Sequence, residues 1–306
     1  MKTKDNLVAY LFLAPFLIIF AVFLGYPTIY SLYLSLHRAT IYSDWYNVFA
    51  DMKFVGLDNY VKLLTTDVKF WWSVIVTGIY AFLTIPTSIG ISLVLAVLLN
   101  NKFRGKSFFR SAFFLPNVLD MLVVGIIWVF IYTPKVGVVD IFLSKIGIHT
   151  FSQIGVLDNP WTALPGIALA MILKGAGFGM ILFLTAIQNI PSSVYEAADI
   201  DGANWWHKLW YITLPLVKPI ILFMVVTGTL ASLNAFTEIY AMTNATGGPA
   251  VQVLGTTAGA TRLSGFYLFK NFESGQYGYA AAISYLMLVL ALVVSLINVK
   301  FLGKGE

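Results

Sequence analysis

Six long apolar runs, separated by mixed or polar segments, set the pattern of this chain. They lie at about 7–36, 71–99, 108–132, 163–187, 216–241 and 278–302. Each is longer than the about 20 residues that a helix needs to cross a hydrocarbon core. Within a bilayer the backbone can satisfy its hydrogen bonds only against itself, so the runs predict helices. No alternating strand pattern supports a barrel. The first run far exceeds the about 7–15 apolar residues of a secretory signal, so it is expected to be a retained span. The expected fold is an all-α polytopic membrane protein, a single transmembrane domain over residues 1–306 with six transmembrane helices.

Polar and helix-breaking residues punctuate the runs. Trp71 and Trp72 open the second as interfacial residues do, and Pro86 predicts a kink in it. Pro116, Asn117 and Asp120 interrupt the third, and Lys174-Gly175-Ala176-Gly177 falls in the middle of the fourth. Between runs, Tyr60–Leu64 predicts a short surface helix and Asp158-Asn159-Pro160 a turn. Phe266–Phe269 is expected to lie against the membrane surface.

Composition supports the membrane reading. Of 306 residues, 59% are hydrophobic and 11% charged, with a mean hydropathy of +0.82. Ordinary soluble domains carry about 25% charged residues, so this chain cannot cover a globule with water-compatible side chains. The net charge of +5 suits basic loops facing anionic lipid, and no Lys-rich or Gly/Arg-rich tract suggests nucleic acid. The absence of cysteine excludes disulfides, thiolate metal sites and thiol nucleophiles. An even span count places both termini on one side. Lys102, Arg104, Lys106 and Arg110 cluster beside span ends with no acid among them, whereas acids dilute the basic residues of the alternate loops. The positive-inside rule therefore puts both termini in the cytoplasm.

The polar gap Glu196–Pro215, within the loop 188–215, has internal order. Pro191 stops the fourth helix. Ser193 and Glu196 have the spacing of a capping box, so a short helix should begin near Val194, and Gly202 should end it. Ala203–Trp210 then reads as amphipathic, with Trp205, Trp206, Leu209 and Trp210 toward apolar surface and His207 and Lys208 toward water. Thr213 is placed to cap the next helix, with Pro215 in its first turn. Two readings follow: a connector on the membrane surface, or a helix that meets another protein.

The spacing of Glu196, Ala197, Ala198, Gly202, Ile212, Leu214 and Pro215 closely resembles the cytoplasmic EAA signature of permease subunits of binding-protein-dependent ABC importers. The six-run layout and Ile239–Pro249 (IYAMTNATGGP) also look like the maltose-type carbohydrate permeases, in particular the subunit that pairs with a second, different permease. The resemblance is strongest from about Leu164 to Leu302. It implies a type I ABC importer permease with a cytoplasmic coupling helix, in which Glu196 and Gly202 meet an ATPase cleft and Ala197 and Ala198 pack there. It implies as partners a second permease subunit, two ATPase subunits, an extracytoplasmic solute-binding protein, a carbohydrate and the lipid bilayer. The membrane implied is the cytoplasmic (inner) membrane of a bacterium or archaeon. The chain would be a translocation subunit rather than an enzyme, with no cofactor of its own; ATP and Mg would belong to the partner ATPase.

Polar groups in mid-span are costly and are default candidates for a site. On the resemblance, Gly175 and Phe178 of the fourth run and Ser232 and Asn234 of the fifth match sugar-lining positions. Lys174 and Glu238 join them as mid-span charges, and Tyr240 and Tyr285 as further rings and hydroxyls. Met171 stands where the family archetype has a polar contact, and Lys174 where it has an apolar one. Both departures point away from maltose but not from carbohydrate, and Lys174 also admits an acidic sugar or a glycerol phosphodiester. Lys174 either pairs with Asp120 or meets substrate or gate. Ser232 and Asn234 either bridge helices or touch ligand.

Other motifs are decoys. Gly105-Lys106-Ser107 ends like a P-loop, but Asn100 stands where that loop needs its first glycine and no strand precedes it. His37, His149 and His207 lie in separate loops without metal-ligand spacing. Two rival functions remain: an ABC permease for a non-sugar solute, and an ion-coupled secondary transporter using Asp120 or Glu238.

Overall fold

The computed structural model describes residues 2–40, 52–101 and 103–302; Asp44, Asp51, Lys102 and the tail after Leu302 lie outside the described residues. The chain opens with α1 (Lys2–Phe20), which passes through a π turn at Ala21–Gly25 into α2 (Tyr26–Ser35). A ribbon of β1 (His37–Arg38) and β2 (Lys53–Phe54) precedes α3 (Asp58–Thr65), the short helix expected here. Next come α4 (Val68–Asn100), α5 (Lys106–Val118), α6 (Met121–Tyr132), α7 (Val138–Lys145), α8 (Thr150–Gln153) and α9 (Ala163–Gln188). The polar gap holds α10 (Ser192–Ile200) and α11 (Trp205–Lys208), then a π turn at Leu209–Thr213 and α12 (Leu214–Leu216). After α13 (Lys218–Asn234) and α14 (Thr237–Met242) follow an antiparallel hairpin of β3 (Ala250–Val253) and β4 (Thr256–Gly259), α15 (Ser264–Glu273) and α16 (Tyr277–Leu302).

Four described stretches are long and apolar enough to cross a bilayer as they stand: Tyr10–Ser35, Val68–Asn100, Ala163–Gln188 and Tyr277–Lys300. The helix at Val68–Asn100 continues through Pro86 without a break. The third and fifth expected spans are not single helices. α5 and α6 meet at 103°, and Trp205–Leu216 meets α13 at 63°, so six spans are reached only when each bent pair counts as one. At the sharper bend Leu119 and Asp120 are extended, and the Asp120 carboxylate accepts from the Leu122 N–H at 2.8 Å. Asp120 is therefore the N-cap of a new helix, not a mid-span charge.

The chain packs as two compact units, Met1–Asp67 with Leu268–Val289, and Val68–Tyr267 with Leu290–Glu306. In the first, the end of α2 is tied to α3. The Tyr60 hydroxyl donates to Ser35 Oγ at 2.7 Å, Asn59 Nδ2 donates to the Ser35 carbonyl at 2.8 Å, and Leu63 is fully buried. The Tyr285 hydroxyl donates to the Thr28 carbonyl at 2.5 Å, and Tyr279 bonds Asp67.

In the second unit α4 lies along α9, and Ser92 Oγ donates to the Ala176 carbonyl at 3.0 Å across their seam. Val76, Tyr80, Ile167, Ile239, Leu263 and Phe266 form one core cluster, and Ala96, Leu99, Met180, Phe183 and Val217 another. Phe266 corrects an expectation, because it is fully buried rather than laid on the membrane surface. Ser264 draws this end of α15 inward. Its N–H donates to Thr77 Oγ1 at 2.9 Å and its hydroxyl to the Leu233 carbonyl at 3.0 Å. Burial of the ring contributes about 1.5–3 kcal/mol. In the 133–162 segment, buried Asp140 accepts from the Lys135 N–H at 2.7 Å and from Ser152 Oγ at 2.8 and 2.9 Å, which fixes the path of the loop.

Candidate functional site

Helices α4, α5, α6, α9, α13 and α14 of the second unit line an open cavity of about 330 Å³. Of the residues singled out in the sequence, Lys174, Gly175, Phe178, Ser232 and Glu238 line it, as does Met171. Asn234 does not; it is exposed, and its Nδ2 donates to the Leu230 carbonyl of its own helix at 2.9 Å. Tyr240 and Tyr285 are also absent from the lining.

Two interruptions of the helices assemble this lining. Ser232 and Glu238 are six residues apart, which on a continuous helix would separate them by about 120° around the axis. The chain leaves helical geometry at Ala235 (ψ 118°) and Phe236 (φ −144°), and both residues then reach the cavity. Likewise the 103° bend brings Asn117, at the end of α5, and Met121, at the start of α6, into one wall.

Charge is spread thinly across the cavity. Lys174 Nζ donates to the Asn117 carbonyl at 3.4 Å, near a helix end whose carbonyls lack partners. Of the two alternatives for Lys174, the pair with Asp120 does not form, since the described ion pairs are Lys208–Asp199 and Lys270–Glu273, and Asp120 caps α6 instead. Glu238 is buried, and the Tyr80 hydroxyl donates to it at 3.4 Å. Lys174 and Glu238 line the same cavity, and among the described residues no ion pair joins them. The sequence reading missed Thr84, Ser88, Asn117 and Thr227, which also line the cavity. A signal existed. Tyr80, Thr84, Ser88 and Ser92 recur every four residues on the second apolar run, which stacks four hydroxyls on one helix face.

The second feature is α10. It begins at Ser192 after an extended Pro191, and no side chain caps it, so the expected Ser193–Glu196 capping box does not form. A proline before the first turn already supplies the extended entry. The C-terminal end is as expected. Gly202 has φ +75°, its N–H donates to the Asp199 carbonyl at 3.1 Å, and the Ala203 N–H donates to the Ala198 carbonyl at 2.9 Å. These two bonds make a Schellman motif. Asn204 then caps α11 by accepting from the His207 N–H at 3.0 Å. An ion pair between Asp199 and Lys208, and a 3.0 Å hydrogen bond between Tyr195 Oη and Thr213 Oγ1, hold the two short helices together. Thr213 does not cap α12; its hydroxyl donates back to the Lys208 carbonyl at 3.2 Å.

Glu196, Ala197 and Gly202 are exposed and Ala198 is buried. Around them Ile200, Trp205, Trp206, Trp210 and Tyr211 also stand exposed. Exposed apolar side chains thus ring a short polar helix. Gly202→Val is expected to cost about 1–2 kcal/mol, because a branched side chain resists the left-handed region. Hydrogen–deuterium exchange should show faster exchange at residues 202 and 203; unchanged protection there would mean that the turn does not depend on this glycine.

Residues 88–302 match the sequence profile of the binding-protein-dependent transport system inner membrane component family. The chain belongs to this family. Among curated relatives of this inner-membrane component, the probable ABC transporter permease protein YesP of Bacillus subtilis is 36% identical over 97% of this chain and 91% of its own length. The lactose transport system permease protein LacF of Rhizobium radiobacter is 35% identical over 97% and 95%. The trehalose/maltose transport system permease protein MalF of Thermococcus litoralis is 30% identical over 98% and 95%. The inner-membrane component also shares its fold with a chain of a bacterial alginate ABC transporter solved in complex with an alginate pentasaccharide-bound periplasmic protein. That match has a TM-score of 0.77 and 24% identity, and covers 97% of this chain and 94% of that one.

Proposed function

We propose that this chain is one of two permease subunits of a type I ABC importer that carries a carbohydrate across the cytoplasmic membrane. In this reading the chain spans the membrane six times, each bent pair counting as one span, with both termini in the cytoplasm. The cavity is the observation that carries the proposal. Thr84, Ser88, Thr227, Ser232, Glu238 and Phe178, residues that carry hydroxyls, a carboxylate and a ring, all line it. A saccharide needs that combination, because its hydroxyls both donate and accept and its C–H faces pack on rings. Relatives named for lactose, trehalose/maltose and arabinooligosaccharides support the same cargo class.

The mechanism follows from the two features together. α10 is short, closed by a Schellman turn and tied to α11, so it moves as a unit. Seated in the cleft of a partner ATPase, which holds ATP and Mg, it follows that subunit when ATP draws the two ATPases together. The breaks at Leu119–Asp120 and Ala235–Phe236 lie beside the cavity and supply places where helices change direction. ATP binding thus biases a two-state element whose states expose the cavity to opposite sides. An extracytoplasmic binding protein delivers the sugar.

Reconstitution tests this. With a second permease, the ATPases and the binding protein in liposomes, labelled oligosaccharide should accumulate only when ATP is present on the ATPase side. Uptake by this chain alone, driven by an ion gradient, would show a secondary transporter instead.

A further inference from the structure

We infer that the cargo is an acidic saccharide whose carboxylate is received by Lys174 Nζ in the cavity. This rests on the carbohydrate reading and narrows it. Lys174 is the one cation among the lining residues, as Glu238 is the one carboxylate. An ammonium carries three donors. Here one of them makes a single long contact, 3.4 Å to the Asn117 carbonyl, and among the described residues no carboxylate lies within salt-bridge reach of it. A half-buried cation in mid-helix is costly in a membrane unless something compensates it.

A neutral sugar would not compensate it. Its hydroxyls are served by Glu238 and by the hydroxyls of Thr84, Ser88, Thr227 and Ser232, and its C–H face by Phe178. Closing the cavity over such a ligand would strip water from the Lys174 ammonium and return neutral acceptors, with the Glu238 carboxylate of the same cavity not in contact with it. A sugar with one carboxylate uses every charged group at once: the carboxylate takes Lys174 and the hydroxyls take Glu238. Gly175 leaves room for this beside the ammonium, since a Cβ there would meet nothing closer than Ser88 Oγ at 3.9 Å. A ligand of higher charge would meet repulsion from Glu238, so one carboxylate per occupied cavity fits best. The competing role is structural, with Lys174 serving only to hold the end of α5.

The test is equilibrium binding to the assembled transporter in nanodiscs without the binding protein, so that the cavity alone chooses. The probes are disaccharides of glucuronate, galacturonate and mannuronate, each beside its carboxyl-reduced neutral form, and a glycerol phosphodiester. At least one uronate should bind about tenfold more tightly than its reduced form, as a charge-assisted hydrogen bond would give. Lys174→Met should abolish that difference chiefly by weakening the uronate, and Lys174→Arg should keep it. Equal binding of acidic and reduced sugars by the wild type overturns the inference while leaving the carbohydrate reading intact. So does a Lys174→Met variant that weakens both forms alike, the result a structural role predicts. Binding of the phosphodiester alone, or of no saccharide, overturns both. Should Lys174→Met not assemble, salt decides: uronate affinity falls as salt rises and that of the reduced form does not, and a flat uronate response sinks the inference.

Discussion

Gly177→Ala is expected to destabilise the protein by about 3 kcal/mol or more, an unusually large cost for one methyl group. A Cβ at this position would lie 1.9 Å from the Phe113 carbonyl oxygen, 2.5 Å from its carbon and 2.8 Å from Phe114 Cα. All three are backbone atoms of α5, so no rotamer change relieves the clash and the helices must separate. Gly175, two residues earlier, provides the control. Its Cβ would meet only Ser88 Oγ, at an ordinary contact distance of 3.9 Å, and alanine there gains about 0.5–1 kcal/mol of helix propensity over glycine. Thermal unfolding of the purified chain in detergent measures both. The Gly177 variant should melt well below wild type or fail to be recovered, and the Gly175 variant should not. If the Gly177 variant melts with the wild type, α5 does not seat against α9 as described. The contact matters beyond stability, because α5 ends at Asn117 and Val118, where Lys174 meets a carbonyl and the bend begins.

Glu196→Lys should leave the fold intact and disconnect it from its power source. Glu196 is exposed and makes no capping bond, and surface substitutions away from such features usually change stability by less than about 0.5 kcal/mol. Coupling free energies between distant sites run about 1–3 kcal/mol. On the proposal that Glu196 docks in a partner ATPase, reversing its charge should therefore lower substrate-stimulated ATP hydrolysis and uptake by about tenfold or more, with the melting temperature unchanged. An uptake rate equal to wild type in this variant would remove Glu196 from the coupling surface. A fall in melting temperature would instead mean that its role is structural.

Much of this architecture was legible in residue order, because a bilayer leaves little choice. Runs of more than about 20 apolar residues must be helical, and the second, fourth and sixth runs became α4, α9 and α16 nearly end to end. Helix α10 was legible through its terminator Gly202, since a glycine of positive φ leaves a strong local signal. Its start was read through the wrong device, because Pro191 and a capping box predict nearly the same first residue. Hidden from the sequence were features set by distant partners. The third run carried Pro116, Asn117 and Asp120 as visible breakers, yet the 103° turn depends on Asp120 capping the next helix. Phe266 reads as amphipathic surface until Ser264 finds Thr77, 187 residues away in the chain. Asn234 and Ser232 are two residues apart on one helix, about 200° around it, so both could not face the cavity while the helix held its course.

The first compact unit is built from two stretches far apart in the chain. Residues up to Asp67 join a stretch that begins at Leu268, 201 positions later. At synthesis rates of about 5–20 residues per second, roughly 10–40 s separate the emergence of the two parts. Through that interval Tyr10–Ser35, apolar and largely exposed, has α3 at its end but lacks the later stretch of its own unit, including the Tyr285 hydroxyl that bonds Thr28. It depends on lipid or on the insertion machinery to keep it from aggregating, which makes this protein sensitive to how it is delivered to the membrane as well as to how it folds.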